Sequence, residues 1–350
     1  MSLDQQIDRL IKPLAEGLSD IVFYQISVFG QGFPLIVLWL VTAAVFFTGY
    51  LGFINIRGFS KAISLVSGTS GKTNGSGEIS HFQALSTAIS GTVGVGNIGG
   101  VAVAISIGGP GAAFWLFMAG FLGMSTKFVE CTLGVKYRRE NLDGSVSGGP
   151  MYYLERYLLD RGFPKLGKLL GGFYALALVI GCFGIGNMFQ SNQAYMQVLS
   201  ISGGENSFFA DKGWLFGLLL ASAVAAVIIG GIRSIGNVAS KIVPFMAILY
   251  VFSAVIIIAM SAEHLIGAIG LIVSNAFESQ SMTGGAIGAM IIGFQRAVFS
   301  NEAGIGSASI AHAAVKTDEP VTEGLVSLLE SFIDSMLICT LTGLVIVPTA

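Results

Sequence analysis

The residue patterns best suited to chemistry are two glycine-rich stretches inside apolar runs. The first, Ser86–Gly100, reads STAISGTVGVGNIGG, and the second, Arg296–Ser307, reads RAVFSNEAGIGS. A glycine inside a helix costs about 1 kcal/mol relative to alanine, so each stretch predicts an interrupted helix. Carbonyls freed at a break can bind a cation, and the start of the next half-helix favours a carboxylate. The alternative is that the glycines serve only close helix packing.

Charged residues inside other apolar runs need a partner or a role. A charge at membrane depth costs about 2.5–3.5 kcal/mol on insertion scales. Glu330 and Asp334 are four residues apart and so share a helix face. We predict that they bind a cation or pair with Arg296, although Glu330 lies near the end of its run and could simply be hydrated. Glu302 could bind the ammonium group of a ligand or pair with Arg296, and both roles stay open.

Uncharged amides mark a further run. Asn187 and Gln190 lie in GIGNMFQSNQ, where amides either join helices or reach a ligand. Both interpretations stay open at this point.

Several polar residues are interpreted as structural. We expect Lys127 and Glu130 to pair with each other or to extend toward the inner membrane surface. The three histidines, His81, His264 and His312, fall at loops or run ends and are interpreted as surface residues. No nucleophile–base pair or metal cluster appears among the apolar runs, so an enzyme is not expected.

The composition indicates the elements that must position these residues. The chain has 350 residues, of which 53% are hydrophobic and 11% charged, with a mean hydropathy of +0.77. A soluble protein carries roughly 25% charged residues. The net charge of -2 provides no basic surface for nucleic acid. The sequence therefore predicts an all-α polytopic protein in contact with membrane lipid.

Eight apolar runs are long enough for the roughly 20 helical residues that cross a bilayer. They lie near 33–54, 84–107, 111–135, 169–199, 214–232, 241–261, 284–312 and 325–348. Leu265–Phe277 is too short to cross and is predicted as a surface or re-entrant piece. Residues 1–30 are predicted as an amphipathic segment on the membrane surface.

The distribution of basic residues predicts the orientation. Fourteen of the 18 Lys and Arg residues fall on one side of the predicted spans and three on the other. Basic loops face the cytoplasm, so we predict the N-terminus outside a cell (bacterial inner) membrane. The two interrupted spans stand five apart, which is typical of transporters built from inverted repeats with a site between the broken helices. Gly94–Gly99 also fits a dinucleotide pattern, but it lies within a span rather than after a strand.

Longer motifs resemble a known family. Gly108–Gly123, GGPGAAFWLFMAGFLG, closely resembles the signature of the alanine or glycine:cation symporter family, except that Leu116-Phe117 stands where that signature prefers Met-Trp. Ser86–Gly100, Ser300–Ala308 and Glu330–Asp334 are also similar to that family's motifs. The resemblance implies sodium-coupled import of alanine, glycine and similar amino acids, with Na⁺ as coupling ion and no other cofactor.

The resemblance also implies a fold and a domain organisation. The fold would be the five-plus-five inverted repeat of the leucine transporter, with the second repeat incomplete because family members have three more spans, so we expect a C-terminally truncated chain. The expected units are the amphipathic segment 1–30, an extra first helix at 31–57, a first repeat at 82–262 and a partial second repeat at 284–350. The sequence predicts no oligomeric state.

The broken helix is further similar to that of sodium-coupled neurotransmitter symporters, where Gly-x-Gly-Asn recurs as Gly94–Asn97. Positions of this chain that match those symporters are given the corresponding roles by the resemblance. Phe299 would be an apolar lid over the substrate. The implied sodium ligands are Ser90, Thr92, Val93, Asn97, Ser300 and Asp334. The implied substrate-binding residues are Gly91, Thr92, Gly96, Gln190, Phe299, Ser300, Asn301 and Gly304.

Two other functions remain open from sequence. One is a proton-coupled or channel-like carrier that uses Glu302, Glu330 and Asp334 as a relay. The other is a truncated membrane protein that does not transport.

Overall fold

The computed structural model describes residues 3–28, 31–68, 75–278 and 285–349, and most of these residues are helical. The predicted boundaries at residues 1, 30, 284 and 350 lie outside the described residues. In chain order the α-helices are α1 (Leu3–Val22), α2 (Leu35–Tyr50), α3 (Ile54–Arg57), α4 (Phe59–Val66), α5 (His81–Thr92), α6 (Val95–Gly108), α7 (Gly111–Lys136), α8 (Pro150–Asp160), α9 (Pro164–Phe183), α10 (Gln190–Ile201), α11 (Gly213–Ile228), α12 (Gly231–Met260), α13 (Ala262–Phe277), α14 (Gly285–Asn301), α15 (Ala308–Ala313), α16 (Pro320–Ser331) and α17 (Thr340–Thr349).

Short non-α elements complete the described fold. Two helical stretches contain a π-helical segment, Gly184–Phe189 between α9 and α10 and Phe332–Cys339 between α16 and α17, and a 3₁₀ turn covers Gly204–Asn206. Two small antiparallel hairpins pair β1 (Gln25–Val28) with β2 (Gln31–Pro34) and β3 (Arg139–Glu140) with β4 (Val146–Ser147). The hairpins were not predicted from the sequence, and they leave the protein essentially all-α.

Fewer single helices are long enough to cross a bilayer than the eight spans that the sequence predicts. By length and composition, α7, Pro164–Ile201, α12 and Pro320–Thr349 could each cross a membrane, and α5 with α6 adds a fifth span if the bent pair counts as one. The other predicted spans contain α2, α11 and α14, which have 16, 16 and 17 residues. A 16-residue helix is about 24 Å long, short of the ~30 Å hydrocarbon core. The described residues therefore contain four or five of the eight predicted spans at full length, and the other three stay predictions.

Helix α7 is the central element of the core. It packs against α2, α13, α14, α15, α16 and the π-helical segment Phe332–Cys339. Small residues make this possible. A Cβ added at Gly120 would lie 2.5 Å from the Ser335 Cβ, and one added at Gly324 would lie 2.1 Å from the Thr132 Oγ1. Helices approach this closely only where such side chains are absent, as is typical of packing in membranes.

Backbone bonds join the chain just before α5 to the chain just after α15. Ile79 and Val315 form a parallel bridge, in which the Lys316 N–H donates to the Ile79 carbonyl at 2.9 Å. The Arg138 guanidinium reinforces it by donating to the carbonyls of Val315 at 2.7 Å and Ser76 at 2.6 Å. We call this arrangement, Ser76 to Ile79 with Val315 to Lys316 and Arg138, the clasp.

Candidate functional site

The first interrupted span breaks where the glycines predict it. Helices α5 and α6 meet at 43°, separated by Val93 and Gly94. The Gly94 N–H donates to the Asn97 Oδ1 at 2.8 Å, and the Val95 N–H donates to the Gln190 Oε1 at 3.3 Å. Side chains therefore cap the start of α6 in place of carbonyls from α5. The prediction of a break in this span is confirmed.

The second interrupted span is also broken. Helix α14 ends at Asn301, and the chain then turns through Glu302 (φ 53°), Gly304 (φ 97°) and Gly306 (φ 94°) before α15 begins. These left-handed conformations suit glycine but strain Glu302. The Ala303 N–H donates to the Asn301 Oδ1 at 2.9 Å, and the Gly304 N–H donates to the Glu130 carboxylate. Buried polar groups thus satisfy the broken backbone.

A buried carboxylate lies between the two breaks. Asp334 is fully buried, and its Oδ1 accepts from the Asn97 Nδ2 at 2.7 Å. Its Oδ2 accepts from the Ser300 Oγ at 2.9 Å and the Ser335 Oγ at 2.8 Å. The Asn301 Nδ2 extends the group by donating to the Ser335 Oγ at 2.9 Å. We call these five residues the polar centre.

The polar centre has the chemistry of a cation site. Within the described residues Asp334 forms no ion pair, and all its side-chain donors are neutral. A buried carboxylate without a cation is costly, so binding Na⁺ or an ammonium group would offset its desolvation. Carboxylate, hydroxyl and amide oxygens are hard ligands that suit a small alkali cation.

Predicted substrate residues border the polar centre. A Cβ added at Gly96 would lie 3.5 Å from the Ser300 Cα and 3.6 Å from the Phe299 ring, which are ordinary van der Waals distances, so Gly96 is a direct neighbour of both residues. The Phe299 ring in turn meets Phe189, with centroids 6.1 Å apart. Gln190 reaches the break from α10. A cavity of about 60 Å³ opens beside the break and is lined by Val93, Gly94, Asn97, Ile98, Tyr250 and Ile338, among others.

Four predicted binding residues make none of the hydrogen bonds of the polar centre. Ser90 and Gly91 are exposed on α5, and the Ser90 Oγ donates to the Thr87 carbonyl at 2.6 Å. Thr92 is buried, and its hydroxyl lies 3.4 Å from the Ala88 carbonyl. Gly304 is exposed in the second break. Their proposed roles in binding stay predictions.

Sequence reasoning missed Ser335 of the polar centre and its neighbour Cys339. Ser335 follows the last residue of the recognised motif, and Cys339 lies 3.3 Å from the Asn97 Nδ2. Both belong to the π-helical segment Phe332–Cys339. Such segments often occur at functional sites, but neither periodicity nor composition signals them in a sequence.

The interpretation of the histidines is wrong for two of the three. His312 is fully buried and His81 is 6% exposed, whereas His264 is exposed as expected. Both buried rings contact Glu323 through Nδ1, with His312 at 2.5 Å. Glu323 is itself fully buried. Its carboxylate accounts for the burial of both rings, and the pairing joins residues far apart in the chain.

The pairing expected for Lys127 is also wrong. Lys127 is fully buried and its Nζ lies 3.0 Å from the Glu330 Oε1, so it neither pairs with Glu130 nor reaches the surface. Glu330 is fully buried rather than hydrated. The cause is the tight contact between α7 and α16, which brings the two side chains together.

Arg296 pairs with neither Glu330 nor Asp334. Those two carboxylates have other partners, and Arg296 forms no ion pair in the described part of the chain. Arg296 and Glu302 instead line an apolar cavity of about 510 Å³ beside α2, where the Glu302 carboxylate accepts from the Ser307 hydroxyl. Asn187, the second amide considered for the ligand, is exposed.

A bundle of apolar helices with a buried carboxylate between two helix breaks defines a polytopic helical membrane protein with an internal polar site. The chain belongs to the sodium:alanine symporter family, whose sequence model matches residues 17–350. It is therefore a member of a family of transporters and not of enzymes.

Curated relatives agree with this family. The chain is 44% identical to the sodium/alanine symporter AgcS of Methanococcus maripaludis over 89% of this chain and 67% of that protein. It is 40% identical to the putative sodium/proton-dependent alanine carrier protein YrbD of Bacillus subtilis over 80% of this chain and 54% of YrbD. It is 35% identical to the probable sodium/glutamine symporter GlnT of Bacillus subtilis over 89% and 62%. The alignments thus span about two thirds of these relatives or less.

Proposed function

We propose that the protein is a sodium-coupled symporter of small neutral amino acids, alanine and glycine first among them. The observation that carries this proposal is the buried Asp334 carboxylate, held by Asn97 and Ser300 between two broken helices. Family membership and the names of two relatives, which specify sodium and alanine, support it.

The proposed ion site uses the polar centre. Asp334 supplies the charge, and Ser300 and Asn97 supply oxygens, with carbonyls near Thr92 and Val93 completing the ligands. Ser90 would contribute only its carbonyl, because its side chain is directed to its own helix.

The proposed substrate site lies beside the ion. The start of α6 near Gly96 and the Gln190 amide would bind the substrate carboxylate, because helix starts favour negative charge. Phe299 would close over the small side chain. Thr92, Gly91, Ser300, Asn301 and Gly304 would complete the lining.

The proposed mechanism is alternating access in a leucine-transporter-like inverted-repeat fold. The ion and the amino acid bind the same arrangement of the two breaks, so each raises the affinity for the other. We place the protein in the cell membrane with the N-terminus outside and the basic loops in the cytoplasm, because of the charge distribution.

Uptake into proteoliposomes tests this function. Labelled alanine is supplied with an inward sodium gradient, or with choline in its place, at fixed and equal pH on both sides. We expect uptake that depends on sodium and is abolished in Asp334→Asn, whereas Asp211→Asn, an exposed carboxylate before α11, behaves as wild type. Competition by glycine, serine and glutamine then ranks substrates.

Two results would overturn the proposal. Undiminished uptake in choline would exclude sodium coupling, and uptake driven by an imposed pH gradient in choline would favour the proton-coupled alternative. Absence of uptake together with absence of alanine-dependent stabilisation against heat would favour a protein that does not transport.

A further inference from the structure

A second buried polar group lies apart from the polar centre. It consists of His81 at the start of α5, His312 on α15, Glu323 and Glu330 on α16, and Lys127 on α7, and we call it the histidine cluster. Only His81 reaches the surface, with 8% of its side chain exposed, while the other four side chains are fully buried. Nothing in the proposed transport site uses these groups.

One gap in the cluster lacks a hydrogen bond. The His312 Nε2 and the Glu330 Oε2 face each other at 3.9 Å, and neither atom has a hydrogen-bond partner in the described part of the chain. The His312 Nδ1 contacts the Glu323 carboxylate, so a neutral His312 ring carries its one N–H proton at Nδ1 and donates it to Glu323. A neutral His312 would then present a lone pair to a carboxylate oxygen, which leaves two buried acceptors facing each other.

The charges around the gap favour one additional proton. With neutral imidazoles, the carboxylates of Glu323, Glu330 and nearby Glu130 face one fully buried ammonium, Lys127. The buried Arg138 guanidinium also acts on Glu323, but its hydrogen bonds go to backbone carbonyls. A buried excess of negative charge is unfavourable, and one proton between the two acceptors reduces it while completing a hydrogen bond. Further ionisable groups near the cluster are Cys131 on α7, Arg138 just after α7, Asp334 just after α16 and Glu302 in the second break. Lys61 on α4 and Arg233 and Lys241 on α12, the helices that pack against α16 and α5, are exposed.

We propose that the gap between His312 and Glu330 is a proton-binding site, reached from the surface through His81 and Glu323. A bound proton joins α15 to α16 by a hydrogen bond between the His312 Nε2 and the Glu330 Oε2, two atoms that otherwise lack partners in the described residues. Since α15 directly follows the second helix break, this bond stabilises the packing beside the transport site. The protein is thereby sensitive to pH independently of the sodium site.

Thermal unfolding of the purified protein between pH 6 and 9 tests the site without reference to transport. Histidine in an unfolded chain releases its proton near pH 6.5. A folded state that keeps one more proton than the unfolded state loses stability as pH rises above that value, so the wild-type melting temperature falls. We expect this fall to be lost in His312→Gln and retained in His264→Gln, whose ring is exposed on α13.

A second variant covers the case in which His312→Gln does not fold. In Lys127→Met with Glu330→Gln, a neutral amide can donate permanently to the His312 Nε2, and no buried ammonium is left unpaired. Its melting temperature is expected to be flat over the same pH range. A flat wild-type profile, or a wild-type slope retained in either folded variant, would overturn the proposal. Failure of sodium-driven uptake alone would leave it unaffected, because melting needs no substrate.

Discussion

The Asn97 Nδ2 donates to the Asp334 Oδ1 at 2.7 Å, across 237 positions of sequence. The same Asn97 accepts from the Gly94 N–H through its Oδ1, so one amide ties the first helix break to the buried carboxylate. A ligand that binds the Asp334 carboxylate therefore also affects, through Asn97, the backbone at the first break.

Replacing Asn97 with alanine is expected to weaken sodium binding. Loss of one oxygen ligand of the ion should cost about as much as loss of a hydrogen bond to a charged group, about 1.5–3 kcal/mol, which corresponds to roughly 10–150-fold in affinity. The sodium concentration for half-maximal alanine uptake should rise by about this factor, while the protein still reaches the membrane. Asn187→Ala, an exposed amide in the first π-helical segment, is the matched control. An unchanged sodium dependence in Asn97→Ala would remove Asn97 from the ion site.

Replacing Gln190 with alanine is expected to weaken amino-acid binding. Its Oε1 already reaches the Val95 N–H at the start of α6, where we place the substrate carboxylate. At saturating sodium, the alanine concentration for half-maximal uptake should rise by about tenfold or more, for the same energetic reason. Asn192→Ala, an exposed amide two residues later, should leave it unchanged. Equal effects of the two substitutions would count against a direct role of Gln190.

Replacing Lys127 with methionine is expected to destabilise the protein strongly. The substitution leaves the Glu330 carboxylate buried without its cation, and breaking a buried pair costs about 3–5 kcal/mol. The double variant Lys127→Met with Glu330→Gln should recover most of this loss. Chemical or thermal unfolding in detergent measures the difference, and an equally unstable double variant would show that the pair itself contributes the stability.

Replacing Gly324 with alanine should disrupt the contact between α7 and α16. The new Cβ would lie 2.1 Å from the Thr132 Oγ1 and 2.8 Å from the Phe128 carbonyl, so the helices must shift, at a cost of about 1–3 kcal/mol. A Cβ added at Gly172 on α9 would meet no atom within 4 Å. Gly172→Ala should therefore stabilise the folded protein by up to about 1 kcal/mol, because alanine has the higher helix propensity. Melting temperatures of the two variants should therefore shift in opposite directions.

The sequence predicts the helix breaks and much of the polar centre because their signals are local. Glycines mark both breaks, and the positions of Asn97, Ser300 and Asp334 follow from motifs that resemble known symporters. Their contacts then appear in the fold as hydrogen bonds to one carboxylate.

The histidine cluster could not be predicted because its signal is not local. His81 stands at the end of an apolar run and looks hydrated, and only folding brings it against Glu323, 242 positions later. The same holds for Lys127, whose partner on α16 is set by the close approach of two helices. In both cases the decisive quantity is burial, which one sequence does not report.

The clasp constrains how the two interrupted helices can move. A backbone hydrogen bond between Lys316 and Ile79 joins the residues just before α5 to the residues just after α15. Arg138 strengthens this connection by donating to the Val315 carbonyl. Such bonds do not depend on which side chains face the ligand. The start of α5 and the end of α15 are therefore held together, and any movement of one helix relative to the other is smallest here and larger at their far ends.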